Sequence, residues 1–402
     1  MLALGLDEKL TYFRVDLTQL EAAADLVVST MHVAYPTLVV PLHSRWRHFV
    51  VHGQDRYRTL QPAAGSPDGF AEARSAFDLA IVSTLLDAGA GSQWQYRDPA
   101  TGEAFARSEG VALASLAMFA RGEFSSAANE PMRADAAALR EVTTAQLAKG
   151  LQVSDTNPIV GLDGRAEVLR ALGTCIEANP TVFARNDRPR PGGLFDRLIT
   201  LSDDGVISAP VILSEVLHHL GPVWPSRVTL GGIPLGDCWR HPAMITTDAT
   251  NQLVPLHKLS QWLTYSLIEP LQHAGLIVTD IDGLTGLAEY RNGGLFVDTG
   301  VLVLREQTLE AAEHHVGSPL VVEWRALTIA LLDRVSDVVR AKLNLDCAEL
   351  PLAKVLEGGT WRAGRNIART HRADGSPPIK VVSDGTVFRR SIRFQEMDHE
   401  RR

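Results

Sequence analysis

The sequence predicts a mainly α protein with minor β additions, on the basis of two observations. Apolar residues recur at helical spacing in most segments of the 402-residue chain. Strand and helix patterns do not alternate along the sequence, which argues against a doubly wound parallel sheet. Because no sharp linker divides the chain, we expect a single α-rich domain over 1–402. Within it, we expect 1–69 to form an N-terminal lobe and 376–402 to form a β-hairpin and tail.

The positions of the helices follow from the spacing of the apolar residues. In 70–88, Phe77 and Leu85 lie on one helical face, and Gly89 is typical of a helix end. The same pattern predicts helices at 109–121, 135–148, 165–178, 210–220 and 253–273, and a long helical pattern over 309–343 that is interrupted near Gly317-Ser318-Pro319. Near the C-terminus, an Asp-Gly turn at 384–385 between two β-branched stretches predicts the hairpin.

Composition and charge exclude several classes of protein. The apolar fraction of 45% and the charged fraction of 21% are typical of a soluble globular chain. The net charge of −8 argues against a nucleic-acid-binding protein. Apolar runs such as 301–304 are far shorter than the roughly 20 residues that span a bilayer, and the N-terminus does not resemble a signal peptide. We therefore expect a cytoplasmic protein with no membrane or nucleic-acid partner and an oligomeric state that the sequence leaves open, while a small anionic ligand held by a few arginines is not excluded.

The sequence contains no motif for a common cofactor or a metal. Glycine-rich dinucleotide and phosphate loops, HExxH and GxSxG are all missing. Cys175, Cys238 and Cys347 lie far apart without a CxxC pair, which predicts reduced, structural thiols. We therefore expect no cofactor and no bound metal.

The polar residues of 255–294 are the strongest candidates for catalysis. Within the predicted helix 253–273, Lys258 and Gln261 share the face opposite the leucines. A solvated helix face would give the same pattern, but Trp262 lies among these residues. The chain then returns through Asp280, which a loop position would also explain.

Glu289 is the carboxylate that the sequence singles out. Apolar and aromatic neighbours flank it, so we expect it to be half-buried, with burial raising its pKa and Lys258 or Arg291 lowering it. Such a group suits acid–base or electrostatic catalysis, although a structural Glu–Arg pair would also explain it. Asp282 is expected to cap a short helix that reaches Arg291 and ends at Gly293-Gly294.

Distinctive motifs are spread along nearly the whole chain. They are VPLHSRWRHF at 40–49, LLDAGAG at 85–91, RSEG at 107–110, GDCWRH at 236–241, HKLSQWL at 257–263, EYRNGGLFVD at 289–298 and LEGGTWRAGR at 356–365. Together these motifs resemble the uracil-catabolism protein four family of the URC pathway of pyrimidine breakdown. The resemblance implies action on a product of uracil nucleotide ring opening, such as a ribosylurea compound.

A shorter stretch is similar to the queuosine-nucleotide salvage glycosylases, which cut the bond between base and ribose. Lys258 with Gln261, then Leu284-Thr285, then Glu289-Tyr290-Arg291 match a Lys-x-x-Gln, Leu-Thr and Asp-Tyr-Arg pattern. The resemblance implies a helical fold that is DNA-glycosylase-like in part. This chain departs from the pattern at Glu289, which replaces Asp, and at Asn292-Gly293-Gly294, which replaces Val-Pro-Gln.

Both resemblances lead to a metal-independent N-glycosidase that hydrolyses a ribose C1′–N bond. Cleavage of this bond builds positive charge on the sugar, which a carboxylate stabilises, and a nitrogen leaving group needs a proton. We expect Glu289, Lys258 and Asp280 to be catalytic, with Lys258 or Arg291 holding a 5′-phosphate. The other candidates for substrate binding are Tyr290, Gln261, Trp94, Tyr96, Asp237, Arg240, His241, Arg45 and Trp46.

Several of these candidates also have ordinary structural explanations. Trp94 and Tyr96 suit stacking on a planar group, but aromatic residues in a helical protein also belong to the core. Arg45 and Trp46 form a basic aromatic patch that a solvated strand edge would explain equally well.

Two other functions remain open at the level of sequence. One is a metal-dependent hydrolase of the ureido C–N bond, with ligands from His241, His257 and Asp280, which the lack of a compact ligand motif disfavours. The other is a non-catalytic partner of the pathway.

Overall fold

The structure is a computed structural model that describes residues 1–60, 70–87, 89–91, 93–185, 188–224, 226 and 228–382. Helices make up 53% of it and strands 12%, which confirms the mainly α class. No helix among these residues is long and apolar enough to span a membrane. The chain divides into two compact units. The first comprises Met1–His43, Ser226–Tyr265 and Asp280–Ser383, and the second includes Ser44–Pro225 and Ser266–Thr279.

The first unit is built around a long buried helix, Pro319–Leu343. Ser318 caps its start by accepting a hydrogen bond from the Val321 N–H, and Asn344 ends it in a left-handed conformation. The other helical segments of this unit are Leu2–Leu6, Leu17–Gln19, Leu20–Ala34, Lys258–His273 over its first half, Ile281–Gly283, Tyr290–Asp298, Thr308–Ala311, Leu352–Val355, the π-turn Leu356–Thr360 and Trp361–His371. Helices Leu20–Ala34 and Tyr290–Asp298 pack against the long helix.

Short two-stranded ribbons complete the first unit. Phe13–Val15 pairs with Leu302–Leu304, Thr229–Leu230 with Ile233–Pro234, Cys238–Arg240 with Leu253–Pro255, and Glu313–His315 with Lys380–Val382. The last pair is parallel. The second strand of the predicted C-terminal hairpin falls after Val382 and lies outside the described residues.

The second unit is centred on helix Ala71–Leu85, which is buried along nearly its whole length. The fully buried Asp78 accepts hydrogen bonds from Ala134 N, Gly192 N and the Arg190 guanidinium. The other helical segments are Arg45–Phe49, Arg58–Leu60, Arg107–Ala120, Ala136–Arg140, Thr144–Gly150, Leu162–Ala178, Pro180–Phe183, Gly193–Leu201, Ala209–Leu220, Gly221–Val223 and the second half of Lys258–His273.

The strands of the second unit also form short ribbons. Val50–Val51 pairs with Gln54–Asp55, Gln95–Arg97 with Ala104–Ala106, Ala184–Arg185 with Arg188–Pro189, and Val206–Ser208 in parallel with Ile277–Thr279.

Two predicted helices differ from the structure in their limits. The helix predicted at 135–148 is two helices, because Thr143 caps a new helix at Thr144 with a hydrogen bond from Gln146 N. The helix predicted at 253–273 begins only at Lys258, because Leu253–Pro255 pairs as a strand with Cys238–Arg240.

Candidate functional site

Asp237 fixes the start of the helix that carries Lys258. Its backbone carbonyl accepts hydrogen bonds from Leu256 N and His257 N, and its Oδ2 accepts one from Lys258 N at 3.0 Å. Both terminal nitrogens of Arg325 donate to the same carboxylate, at 2.9 and 2.8 Å. Burial raises the pKa of Asp237, but the Arg325 charge and these hydrogen bonds outweigh burial and hold the pKa at about 2. The carboxylate is therefore an ionised cap.

Arg325 connects this cap to the segment that carries Glu289. Its Nε donates to the Ala288 carbonyl at 3.1 Å, while its terminal nitrogens bind Asp237. Sequence reasoning did not single out Arg325. The available signal was a charge on the buried face of a long apolar helix, where an unpaired guanidinium would be costly.

Gln261 holds the loop that precedes Glu289. Its Oε1 accepts a hydrogen bond from Thr285 N at 3.2 Å, and the Tyr265 hydroxyl donates to the Thr285 carbonyl at 3.0 Å. Gln261 and Thr285 belong to the matched Lys-x-x-Gln and Leu-Thr motifs. The spacing of these two motifs therefore has a local structural reason, whatever else Gln261 does.

Glu289 is the N-cap of helix Tyr290–Asp298, with one carboxylate oxygen accepting from Asn292 N at 3.0 Å. The predicted helix from Asp282 to Arg291 is therefore wrong. Asp282 lies in the turn Ile281–Gly283, and its carboxylate accepts hydrogen bonds from Leu352 N and from Arg340.

Burial and the neighbouring charges have opposite effects on the pKa of Glu289. Burial raises the pKa of its carboxyl group, and the charges of Lys258, His43 and Arg291 and the Asn292 N–H lower it by less. The balance leaves the pKa above that of an ordinary glutamate. In the part of the chain that the structure describes, the Lys258 side chain has no hydrogen-bond or ion-pair partner. The Glu289 carboxylate and the Lys258 ammonium therefore interact electrostatically. Within the described residues, the Lys258 side chain makes no contact of its own that stabilises the fold through a hydrogen bond or an ion pair.

His43 and Glu357 form a second pair that sequence reasoning missed as a site. The His43 Nδ1 atom lies 2.8 Å from Glu357 Oε2, and the Tyr35 hydroxyl donates to Glu357 Oε1 at 3.1 Å. Glu357 belongs to the π-turn Leu356–Thr360, a feature often found at functional sites. We call Lys258, Glu289, His43 and Glu357 the Glu289 cluster.

Tyr290 and the glycines after it explain how the helix behind the cluster packs. The Tyr290 ring stacks on Trp324, with ring centroids 5.4 Å apart. A Cβ on Gly293 would lie 2.8 Å from the Trp324 indole and the Thr328 hydroxyl, so only glycine fits there. This close packing accounts for glycine where the salvage glycosylase motif has proline.

Comparison with protein families and curated proteins identifies the family. The model of a family described as a protein of unknown function (DUF1688) matches residues 1–388. The chain belongs to this family. It is 39% identical over 389 residues to Protein urg3 of Schizosaccharomyces pombe, covering 95% of this chain and 93% of that protein. It is 36% identical over 409 residues to Uracil catabolism protein 4 of Lachancea kluyveri, covering 94% and 92%. The family resemblance predicted from the motifs is confirmed.

Three other predicted residues of the first unit of this DUF1688 protein are not among the groups named as acting on the pKa of Glu289. Asp280 is exposed, at a left-handed backbone position before the turn Ile281–Gly283. Arg240 is exposed and donates to the Asn251 carbonyl. His241 is buried and faces the equally buried Glu323, with 3.3 Å between Nε2 and Oε2.

The predicted residues of the second unit are buried within it. Arg45 is fully buried and binds Asp87 and the Ser83 hydroxyl, so the patch it forms with Trp46 is not a solvated strand edge. The Trp46 indole donates to the Ser266 carbonyl. Trp94 is 0% exposed and donates to the Leu151 carbonyl, and Tyr96 is 3% exposed in strand Gln95–Arg97.

The ligands suggested for a metal-dependent reaction do not come together. Among the residues with described positions, no three His, Cys, Asp or Glu side chains form a group that could hold a metal ion. His241, His257 and Asp280 are accordingly not assembled as a ligand set.

Proposed function

We propose that this DUF1688 protein acts in uracil catabolism and hydrolyses the ribose C1′–N bond of a ring-opened uracil product, such as ribosylurea or its 5′-phosphate. The observation that carries the proposal is the half-buried Glu289 carboxylate at the start of a helix, where it interacts electrostatically with Lys258, a side chain that has no hydrogen-bond or ion-pair partner among the described residues. The printed name of the Lachancea kluyveri relative, Uracil catabolism protein 4, supports the pathway. The motif similarity to base–ribose glycosylases supports the bond.

In this proposal, Glu289 acts on the sugar. One of its oxygens caps the helix, and the other has no hydrogen-bond partner among the residues the structure describes. Breaking the C1′–N bond leaves positive charge at C1′, which a nearby carboxylate stabilises. The electron pair of this bond leaves with the nitrogen, which also takes up a proton. A water molecule bonds to C1′ through its oxygen and gives one proton to Glu289.

Lys258 is the better of the two predicted cations for a phosphate. Arg291 already donates to the Gly375 carbonyl at 2.5 Å, so part of its guanidinium serves the fold. The Lys258 side chain, on the first residue of its helix, has no hydrogen-bond or ion-pair partner among the described residues. We therefore assign the 5′-phosphate of a phosphorylated substrate to Lys258.

The proposal is tested by a matched pair of variants, Glu289→Asp and Glu289→Asn. Both residues are good helix N-caps, so both keep the structural role of Glu289 and differ only in charge. We expect Glu289→Asn to lose turnover by about 10³-fold, because it removes the charge-stabilising group, and Glu289→Asp to retain clearly more. The measurement follows urea and reducing sugar released from ribosylurea and its 5′-phosphate, with and without chelator.

Other results would replace the proposal by a different function. Ammonia release that disappears with chelator would indicate a metal-dependent ureido hydrolase. No turnover of any ring-opened substrate by the unaltered protein would indicate a non-catalytic partner. Equal activity of the two Glu289 variants would remove Glu289 from the reaction.

A further inference from the structure

We propose that His43 is the general acid that protonates the leaving nitrogen, and that Glu357 positions it. The inference rests on the proposed function, and it assigns the proton that C1′–N cleavage requires. Neither residue was a candidate from the sequence. The assignment comes from the way the π-turn Leu356–Thr360 and residue 43 meet in the first unit.

His43 is held in one orientation by a chain of hydrogen bonds. Its Nδ1 atom lies 2.8 Å from Glu357 Oε2, and the other oxygen of Glu357 accepts from the Tyr35 hydroxyl. The side chains of His43 and Glu357 are each 13% exposed. The His43 backbone N–H also donates to the Ala353 carbonyl at 3.0 Å. A carboxylate on Nδ1 fixes the orientation and the tautomer of the imidazole ring, as in catalytic carboxylate–histidine pairs.

The same π-turn is tied directly to the cap of the Glu289 helix. The Thr360 hydroxyl donates to Asn292 Oδ1 at 3.0 Å, and the Asn292 N–H donates to Glu289. Thr360 and Asn292 are both almost fully buried, so this connection is rigid. His43 is also close enough for its charge to act on the Glu289 carboxylate. His43 and the Glu289 carboxylate are therefore near enough to act on the same substrate in this proposal.

The remaining nitrogen of His43 is available to a substrate. Within the described ranges, Nε2 of His43 has no hydrogen-bond partner, whereas Nδ1 is bound by Glu357. Imidazole is the side chain best suited to give up a proton near neutral pH, while a lysine ammonium holds its proton too strongly. This difference assigns the proton to His43 and leaves Lys258 as the cation for a phosphate.

The proton balance of the step is complete. As the C1′–N bond breaks, the His43 Nε2–H gives its proton to the nitrogen that takes the bonding electrons. Water bonds to C1′ and transfers a proton to Glu289. Exchange through water then returns a proton from Glu289 to His43, so both groups recover their starting states and the net reaction consumes one water.

The test uses two substrates that differ only in their need for an acid. Urea is a poor leaving group, whereas 4-nitrophenolate in 4-nitrophenyl β-D-ribofuranoside leaves without a proton. We expect His43→Gln to lower turnover of ribosylurea by about 10²–10⁴-fold, the usual contribution of a general acid. We expect the same variant to hydrolyse the nitrophenyl riboside within about threefold of the unaltered protein, because no proton is needed.

Two further variants separate chemistry from folding. Glu357→Gln keeps an acceptor for Tyr35 but lacks the charge, so we expect a smaller loss that is again confined to ribosylurea. In His43→Gly, added imidazole should restore part of the ribosylurea turnover, which a residue needed only for packing would not allow. Glu289→Asn serves as the contrast, because it should lower turnover of both substrates.

Each outcome decides between the assignments. If His43→Gln loses both substrates equally, or keeps ribosylurea turnover, His43 is not the acid. If the unaltered protein hydrolyses only the nitrophenyl riboside and Glu289→Asn lowers that turnover, the leaving-group assignment fails while Glu289 stands. If the unaltered protein turns over neither substrate, the proposed function fails and this inference falls with it.

Discussion

Glu289 has a structural role through one carboxylate oxygen, and in the proposed reaction its other oxygen acts on the sugar. One oxygen accepts the Asn292 N–H, which orders the first turn of its helix. The helix start also presents partial positive charge to the carboxylate, which favours its ionised form. Burial acts in the opposite direction and prevails, so the pKa of Glu289 lies above its ordinary value. The carboxylate must nonetheless be ionised to stabilise positive charge on the sugar.

We predict that Lys258→Met shifts the pH dependence of turnover. Lys258 is the strongest of the charges that lower the pKa of Glu289, so its removal raises that pKa further. Activity that needs ionised Glu289 is lost as the pH falls through this pKa. The acidic limb of kcat/KM for ribosylurea should therefore move to higher pH by about one pH unit. A pH profile measures the shift, and unphosphorylated substrate avoids any effect on phosphate binding.

Lys258→Arg is the control for this experiment, because it keeps a positive charge at the same position. Its acidic limb should lie near that of the unaltered protein. Identical limbs in Lys258→Met and Lys258→Arg would contradict the electrostatic coupling of Lys258 to Glu289.

At the scale of elements, periodicity predicted most helices but not the connections that bring functional groups together. The helices Ala71–Leu85, Leu162–Ala178 and Ala209–Leu220 lie close to their predicted limits, because local apolar spacing determines them. The start of helix Lys258–His273 depends instead on Asp237, some 20 residues earlier, and on a ribbon with Cys238–Arg240. Such long-range partners leave no local periodicity.

In the Glu289 cluster, too, some residues could be predicted from the local sequence, whereas others come together only through long-range contacts. Glu289 could be chosen from the sequence because apolar and aromatic residues flank it, and Lys258 because it shares a polar helix face with Gln261. His43 and Glu357 meet only through the fold, 314 positions apart, so no spacing rule connects them. Asp282 was misplaced because its partners, Leu352 N and Arg340, lie 70 and 58 positions away in sequence.

We predict that Asp237→Asn destabilises the protein in a pH-dependent way. The substitution leaves Arg325 buried without its ionised partner, so we expect the free energy of unfolding to fall by about 3–5 kcal/mol at pH 7. The folded pKa of Asp237, about 2, lies below that of an unfolded aspartate. Its ionisation therefore stabilises the fold above pH 4, and this contribution is lost as the pH falls toward 2. Urea unfolding at pH 7 and pH 3 should show the difference shrinking.

The double variant Asp237→Asn with Arg325→Met is the control for the ion pair. It removes the stranded cation, so its loss of stability should be smaller than the sum of the two single losses. Strict additivity would show that Asp237 and Arg325 do not act together.

At the scale of the whole molecule, the chain passes repeatedly between its two compact units. Helix Lys258–His273 contributes its first half to the first unit and its second half to the second. Breaking this helix in its middle would lose the N–H(i) to O=C(i−4) hydrogen bonds that cross the break. The single-domain organisation expected from the sequence stays a prediction.

We predict that the protein unfolds in one calorimetric transition, and that substitutions in either unit lower that same transition. Asp78 lies in the second unit and is bound by Arg190, Ala134 N and Gly192 N, so Asp78→Asn breaks a buried pair of the kind that Asp237→Asn breaks in the first unit. A loss of about 3–5 kcal/mol should lower the transition temperature of a chain of this length by about 4–6 °C in both variants. Two resolved transitions, each moved by only one of the variants, would show that the units unfold separately and that 1–402 is not one cooperative domain.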